Sequence, residues 1–311
     1  MTTKAQMHVP YTYLTREFDP DAALGKRILE GIAQEMRWGR YTLGPAVQQF
    51  EEAFAQVCQV KHAIGVGNGT DALFLIMKAM GVKTEEEIVL VPITFLATAG
   101  AIIAAGAIPK FGDIHAYDTG HREDYPRNTR IMIHWGGLPD VCTVEPFIED
   151  ACQAIGAQWC GRRVGSLGLA AAFSLHPLKN VNVMGDGGMV TTNDDALAAE
   201  VRLLRNHGLQ GRDVWVKPGY NSRLDTIQAI VGLEALKELD WVTERRIANA
   251  KRYDAGLRGV KEVIIPARSA NIRHVYHLYQ VTVERRDQLL AYLQAHGVEA
   301  KVHYPTPLHL Q

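Results

Sequence analysis

"EIVLVPITFLATAGAIIAAGAIPKFGDI", residues 87–114, decides the fold. "EIVLVP" is a short apolar run of strand length. "FLATAGAIIAAGA" is longer and alanine-rich, and reads as a helix, while "IPKFGDI" is strand-like again. A strand, a helix and a second strand in succession make a crossover unit, in which the helix carries the chain back so that the strands run parallel.

The same alternation extends outward on both sides. Residues 21–38 place Leu24, Ile28, Ile32 and Met36 on one helical face, with Pro20 near the start and Gly39 just past the end. Val47, Phe50, Phe54 and Val57 recur at spacings of three and four, which predicts a second helix. "HAIGV" (62–66) reads as a buried strand that breaks at "GNGT" into the helix "DALFLIMKAM", closed by Gly81. "RIMIHW" and "PFIED" read as two more strands, and "AAAFSL" and "GMVTT" as short runs of the same character. The expected fold class is therefore α/β, a mostly parallel central sheet covered by helices on both faces.

After residue 193 the pattern becomes helical. "DDALAAEVRLLRNHG" is one helix, and residues 224–259 are too long for one ordinary helix and should bend near Leu239–Trp241. The tail segments "YHLYQVTV", "RRDQLLAYLQAHG" and "VEAKVHY" read strand–helix–strand. We expect a large domain over 1–238, including the N-terminal helical segment, and a smaller C-terminal α/β domain over 239–311.

Composition narrows the function. The 311 residues carry a net charge of −1 with no long basic run, which argues against a nucleic-acid partner. Cys58, Cys142, Cys152 and Cys160 form no CxxC pair, so we read reduced thiols in a cytoplasmic protein, with neither a disulfide framework nor a metal site. The first residues lack the apolar core of a signal peptide, and "AIIAAGAI" is too short to span a bilayer.

Ligands of open parallel sheets bind beyond the carboxyl ends of the strands, and the chemistry-bearing residues gather there. In "VGNGTDAL", Gly67 and Gly69 let the backbone approach an anion, and Thr70 and Asp71 open a helix whose free N–H groups favour phosphate. A plain strand–turn–helix with Thr70 as the cap explains the same letters. In "FIEDACQAIGA", Asp150 ends a strand where its carboxylate can meet a cationic ring nitrogen, or cap a helix. Lys179, in "FSLHPLKNVNVMGDGG", can form a Schiff base with an aldehyde, or stand solvated at the surface. Gly185, Gly187 and Gly188 after it allow a sharp turn where side chains would not fit. Ser174 can donate to a phosphate or close a strand end, and Phe95 can stack on a flat ring or pack in the core. One ligand answers all of these at once: a phosphate, an aldehyde, a ring nitrogen and a flat face together describe pyridoxal 5'-phosphate.

The segments "YTLGPAVQQFEEAFA", "AIGVGNGTDAL", "VPITFLATAGAIIAAGAIPKFGDI", "IEDACQAIGA", "AFSLHPLKNVNVMGDGGMVTTND", "GYNSRLDTIQAIVGLEALK" and "VHYPTPLHLQ" follow one another in order from residue 41 to 311. In this the chain resembles the DegT/DnrJ/EryC1/StrS family of sugar-nucleotide aminotransferases, within fold type I of the pyridoxal-phosphate enzymes. The resemblance implies that Lys179 carries the cofactor and that Asp150 meets its ring nitrogen. It implies that Gln153 faces the ring hydroxyl, that Gly69, Thr70 and Ser174 hold the phosphate, and that Phe95 stacks on the ring. Asn221 would reach the phosphate of a neighbouring subunit's cofactor, which implies a homodimer with shared active sites; capping of a nearby helix is its other reading. His303, Tyr304 and His309 match the family's substrate-side segment, a core or turn role being the other reading of each, and His176, before Pro177, shapes the loop beside Lys179. The implied reaction has two halves: an amino acid, glutamate, leaves its nitrogen on the cofactor as pyridoxamine 5'-phosphate, and the keto group of a nucleotide-linked sugar then receives it.

The chain also departs from the family pattern. Gly168–Leu169 stands where relatives have Gly-Asp, which removes one carboxylate. The segments 115–130 and "GLPDVCTVEP" are short, and relatives continue beyond "PLHLQ" with further helices. A cofactor-binding regulator without turnover is the competing reading. Sugar dehydratases of the same fold replace the lysine with histidine, so Lys179 argues against them. A nicotinamide dehydrogenase is weaker still: the strand "EIVLVP" ends without an acid to hold a ribose, and Lys179 would be left unused.

Overall fold

The computed structural model describes residues 8–113, 129–140 and 146–311. In chain order the strands are β1 (His62–Val66), β2 (Glu87–Leu90), β3 (Ile108–Phe111), β4 (Arg130–Ile133), β5 (Phe147–Asp150), β6 (Gln158–Trp159), β7 (Arg162–Arg163), β8 (Ala170–Ser174), β9 (Gly188–Thr192), β10 (Val263–Ile264), β11 (Ile272–Arg273) and β12 (Thr282–Val283). The α-helices are α1 (Leu14–Glu17), α2 (Ala23–Trp38), α3 (Pro45–Cys58), α4 (Gly69–Ala79), α5 (Leu96–Ala105), α6 (Asp195–Leu204), α7 (Thr226–Lys237), α8 (Leu239–Leu257) and α9 (Arg286–Ala295). Seven strands form the central sheet in the order β1-β9-β8-β5-β4-β2-β3. All neighbours run parallel except that β9 lies antiparallel between β1 and β8. The carboxyl ends of the other six strands therefore share one edge.

Alternation along the strands sorts the core into two layers. Ala63, Met132, Phe147, Ala171, Phe173 and Met189 belong to one buried cluster, and their neighbours Ile64, Ile131, Ile148, Ala172 and Val190 to the other. The first layer rests on α3, where Phe50 and Phe54 meet edge to face at 5.9 Å and Phe54 meets Phe173 at 5.0 Å. Each such ring, fully buried, contributes about 1.5–3 kcal/mol. The second layer is built on α4, α5 and α6 through residues such as Leu73, Ile102 and Val201.

Several expectations change in detail. On α2, Met36 is exposed and Glu35 is buried instead, paired with Arg40 at 2.8 Å. The helix after β1 begins at Gly69, because Asn68 rather than Thr70 caps it by accepting from Asp71 N at 2.8 Å. The long segment 224–259 divides between α7 and α8 at Glu238, next to the expected bend. In the tail α9 and the two-residue β12, which pairs with β10, are regular. Residues 276–281 form no strand apart from what β12 begins, and Val298 makes a single parallel bridge with Val9. Residues 276–281 are all half-buried without alternation, so no pleat sorts them into two faces. β11 pairs instead with β6, which together with β7 makes a three-stranded sheet. Residues 115–128 and 141–145, the latter including Cys142 and half of "GLPDVCTVEP", lie outside the described residues; Cys58, Cys152 and Cys160 are free thiols.

Candidate active site

A cavity of about 930 Å³ opens at the shared carboxyl edge. Gly69, Thr70, Phe95, Asp150, Gln153, Ser174, Lys179, His303 and Tyr304 all line it. Asn221 and His309 do not. His309 is exposed and faces Phe111, with ring centroids 6.1 Å apart. Asn221 is exposed in an isolated bridge with Asn206, and the helix after it is led in by Asp225, so Asn221 is not its cap.

Asp150 closes β5 and is 7% exposed. No helix follows it; its Oδ1 accepts from Cys152 N at 3.2 Å and shapes a turn. Its Oδ2 accepts from Thr98 Oγ1 at 2.7 Å, and Thr98 Oγ1 lies 2.9 Å from Thr94 Oγ1. Both hydroxyls are buried. The two threonines lie four residues apart in "PITFLAT", a spacing that by itself does not point to Asp150. Thr98→Val is expected to leave the buried carboxylate short of one donor. Thermal unfolding should show a loss of about 1–3 kcal/mol that Thr98→Ser largely restores.

The neighbouring Glu149 points the other way and is fully buried. Its oxygens accept from the backbone N–H groups of Gly165, Leu167 and Gly168 at 2.8–3.0 Å and lie 2.8 Å from His134 Nε2. His134 Nδ1 accepts from Asp140 N, so the proton of a neutral ring sits on Nε2, facing Glu149. Glu149 thus anchors the loop that leads into β8, at the place where Gly168–Leu169 lacks the acid of the family pattern.

Gly69 opens α4, and the N–H groups of this first turn have no intrahelical acceptor. A Cβ on Gly69 would come within 2.8 Å of Ser174 Cβ and 2.9 Å of Cys152 Sγ. Glycine therefore lets the first turn of α4 sit directly against Ser174 and Cys152, with the Ser174 hydroxyl beside it. Gly188 supports it from behind: a Cβ there would meet the Asn68 carbonyl oxygen at 2.3 Å. Gly187 and Gly188 thus serve close approach, while a Cβ on Gly185 would meet nothing nearer than Gln228 Nε2 at 3.4 Å; the left-handed residue of that loop is Met184, with φ 57°.

Lys179 stands half-buried on the loop after β8, its N–H bonded to the His176 carbonyl at 2.8 Å. His176 Nδ1 accepts from Leu178 N, so this histidine does shape the loop. The adjacent Asn180 donates to the Val275 carbonyl at 3.2 Å, tying the loop to the chain that follows β11. Gln153 Oε1 accepts from Gly136 N at 2.7 Å, and its Nε2 approaches Tyr304 OH at 3.5 Å. Phe95 and Tyr304 tilt toward each other at 5.6 Å. Burial first, then Lys179 and Lys301, hold the His303 imidazole below its ordinary pKa, which keeps it neutral. Burial, then Asp150, push the Tyr304 phenol up, so it stays protonated and can donate.

The profile of the DegT/DnrJ/EryC1/StrS aminotransferase family matches residues 22–121 and 144–311. The chain is 37% identical to a pleiotropic regulatory protein of Geobacillus stearothermophilus, over 98% of this chain and 86% of that one. It is 36% identical to a dTDP-3-amino-3,4,6-trideoxy-alpha-D-glucose transaminase of Streptomyces venezuelae, over 90% and 78% of the two chains. Among solved structures, S. venezuelae DesV in complex with a ketimine intermediate superposes with a TM-score of 0.91 at 34% identity, covering 98% of this chain and 85% of that one.

Proposed function

The chain belongs to the DegT/DnrJ/EryC1/StrS aminotransferase family, and on that premise we propose that it transfers an amino group from glutamate to the keto group of a nucleotide-linked sugar, using pyridoxal 5'-phosphate. One observation carries the reading. A single cavity gathers an amine, a buried carboxylate and a glycine-lined helix N-terminus at the carboxyl edge of the sheet.

The residues fit such a cofactor. The first turn of α4, at Gly69 and Thr70, and the Ser174 hydroxyl line the cavity together and suit a phosphate. The Asp150 carboxylate suits a protonated ring nitrogen, Phe95 a flat ring face, and Lys179 an aldehyde. When bound, the cofactor supplies an aldehyde that takes up the donor's nitrogen and a cationic ring that draws electrons from the Cα–H bond. The protein does the rest. Lys179 Nζ accepts the proton from the donor's Cα and later delivers one to the carbon that is aminated. Asp150 keeps the ring nitrogen charged. Neutral His303 and protonated Tyr304 stand opposite as hydrogen-bond partners for sugar hydroxyls.

Asn221 is assigned to the site of a neighbouring subunit. In support, Val214, Trp215, Val216 and Tyr220, just before it, are 56%, 64%, 48% and 39% exposed, an apolar strip of the kind that subunit contacts cover.

The test is spectroscopic. Purified protein with pyridoxal phosphate should show a near-visible band that borohydride fixes as added mass on the Lys179 peptide. Glutamate should bleach the band, and a keto-sugar nucleotide should restore it with release of an amino sugar. The resemblance to a regulatory protein makes the opposite result informative: a band that glutamate leaves unchanged points to a binding protein without turnover.

A further inference from the structure

The cavity that holds Lys179 extends beyond it to a wall made of rings. Four rings stand in a row there. His274 lies on Tyr276 with centroids 3.9 Å apart and planes at 11°. Tyr276 faces Tyr279 at 6.4 Å and 29°, and Tyr279 faces Tyr253 at 4.8 Å and 29°. Tyr253 ends the row; it is 51% exposed and lines the cavity.

The row is held in place. Asp254 accepts from Tyr279 OH at 2.9 Å and from both Nη2 and Nε of Arg268, at 3.0 and 3.2 Å. The Arg268 guanidinium stands over Tyr276 and Tyr279, 5.3 and 5.7 Å from their centroids. Burial and that guanidinium push the His274 imidazole down to about 3, so the first ring of the row is neutral. A rigid aromatic stack with one open end suits a further flat ring, because offset stacking rewards a face already fixed in position.

Tyr253 belongs to α8, on which Arg246 and Asn249 also line the cavity. Spacings of three and four residues place the three on one helical face. Arg246 and Tyr253 lie two turns apart, about 10 Å along the axis, the span of a ribose with a diphosphate on one side and a base on the other. Among the described residues the Arg246 guanidinium bonds neutral oxygens: the Tyr276 and His277 carbonyls at 3.0 and 3.4 Å and Tyr13 OH at 2.9 Å. Glu17 senses its charge but makes no ion pair with it among the described residues. Asn249 offers an amide with both donors and an acceptor.

We propose that this face of α8 is the nucleotide subsite of the cavity: a nucleobase stacks on the open face of Tyr253 with its polar edge toward Asn249, while Arg246 takes the diphosphate. The assignment rests on the reading of the substrate as a nucleotide-linked sugar and names the part of the protein that holds the nucleotide. It leaves the sugar directed toward Lys179.

The test is calorimetric titration of the cofactor-loaded protein with UDP, dTDP and inorganic pyrophosphate. At least one nucleotide should bind the wild type, and bind Tyr253→Leu and Tyr253→Ala at least about tenfold more weakly, as lost base stacking requires. Pyrophosphate should bind the wild type and both variants alike, and Arg246→Gln should weaken pyrophosphate and nucleotides together. The subsite is overturned if neither nucleotide binds the wild type, if the Tyr253 variants bind nucleotides within threefold of wild type, or if they lose pyrophosphate in parallel, which would signal general damage to the fold. The two readings fail separately. Nucleotide binding through Tyr253 in a protein that glutamate never converts keeps the subsite and removes the transaminase. Amination that ignores Tyr253 removes the subsite alone.

Discussion

Lys179→Ala protein is expected to fold normally and lose turnover by about 10²–10⁴-fold, the contribution of a positioned proton-transfer group. The argument begins with what the side chain does not do. Lys179 Nζ makes no hydrogen bond or ion pair among the described residues, and the loop around it is fixed by backbone bonds and by Asn180. Its removal therefore costs little stability, within about 0.5 kcal/mol by the usual behaviour of such positions. A half-buried amine without a hydrogen-bond or ion-pair partner among the described residues, lining a cavity with Asp150, Ser174 and His303, is explained by chemistry. Lys179→Arg sharpens the test. Guanidinium keeps the charge and nearly the length, yet it neither releases its proton nor adds to an aldehyde. If charge alone mattered, arginine would rescue; if the amine matters, it fails like alanine. Single-turnover absorbance with glutamate reads the rate, and thermal melting confirms the fold. A Lys179→Ala enzyme that keeps a tenth of wild-type turnover would remove the lysine from the mechanism.

The strand–helix alternation in the sequence was enough to specify the sheet, because buried parallel strands need apolar runs that helices must interrupt. It did not specify that β9 runs antiparallel. "GMVTT" looks the same in either direction, and only the short return from Lys179 through Gly188 decides it. The carboxyl-edge residues were legible for the same reason that the sheet was: Asp150, Ser174 and Gly69 each follow an apolar strand. Thr98 was missed because a threonine in an alanine-rich helix carries no signal until Asp150 is brought beside it from 52 residues away. The ring row was missed because its members come from two separated segments, α8 and residues 274–279, and the tail was read as regular strands. The left-handed backbone of Tyr276, with φ 48°, is incompatible with the pleat that "YHLYQVTV" implied.

Replacement of Asp150 by asparagine is expected to lower turnover by about 10²–10³-fold, the cost of removing one preorganised electrostatic partner from a water-poor site, with a much smaller change in thermal stability. The substitution keeps the size: its amide oxygen accepts from Cys152 N as Oδ1 does, while the NH2 group in the place of Oδ2 faces Thr98 Oγ1, whose hydroxyl turns to accept it and to donate to Thr94 Oγ1, so packing is preserved and the charge is lost. That charge matters here because of where it stands. Between a carboxylate and a cation 4 Å apart the attraction is about 1 kcal/mol in water and several-fold larger at lower effective dielectric, and Asp150 is almost wholly withdrawn from solvent. The rate loss should appear in kcat more than in KM, since the ring nitrogen's charge is needed most as the Cα proton leaves. An independent readout lies next door. Burial first, and the Asp150 charge second, hold the Cys152 thiol well above its ordinary pKa. Removing the anion relieves part of that rise, so at fixed pH a larger fraction of Cys152 is thiolate, and iodoacetamide should alkylate it faster in the cofactor-free variant than in the cofactor-free wild type. An Asp150→Asn enzyme with unchanged kcat and unchanged Cys152 alkylation would mean that no anion stands at this strand end. Unchanged kcat with faster alkylation would keep the anion and take from it the role beside the ring.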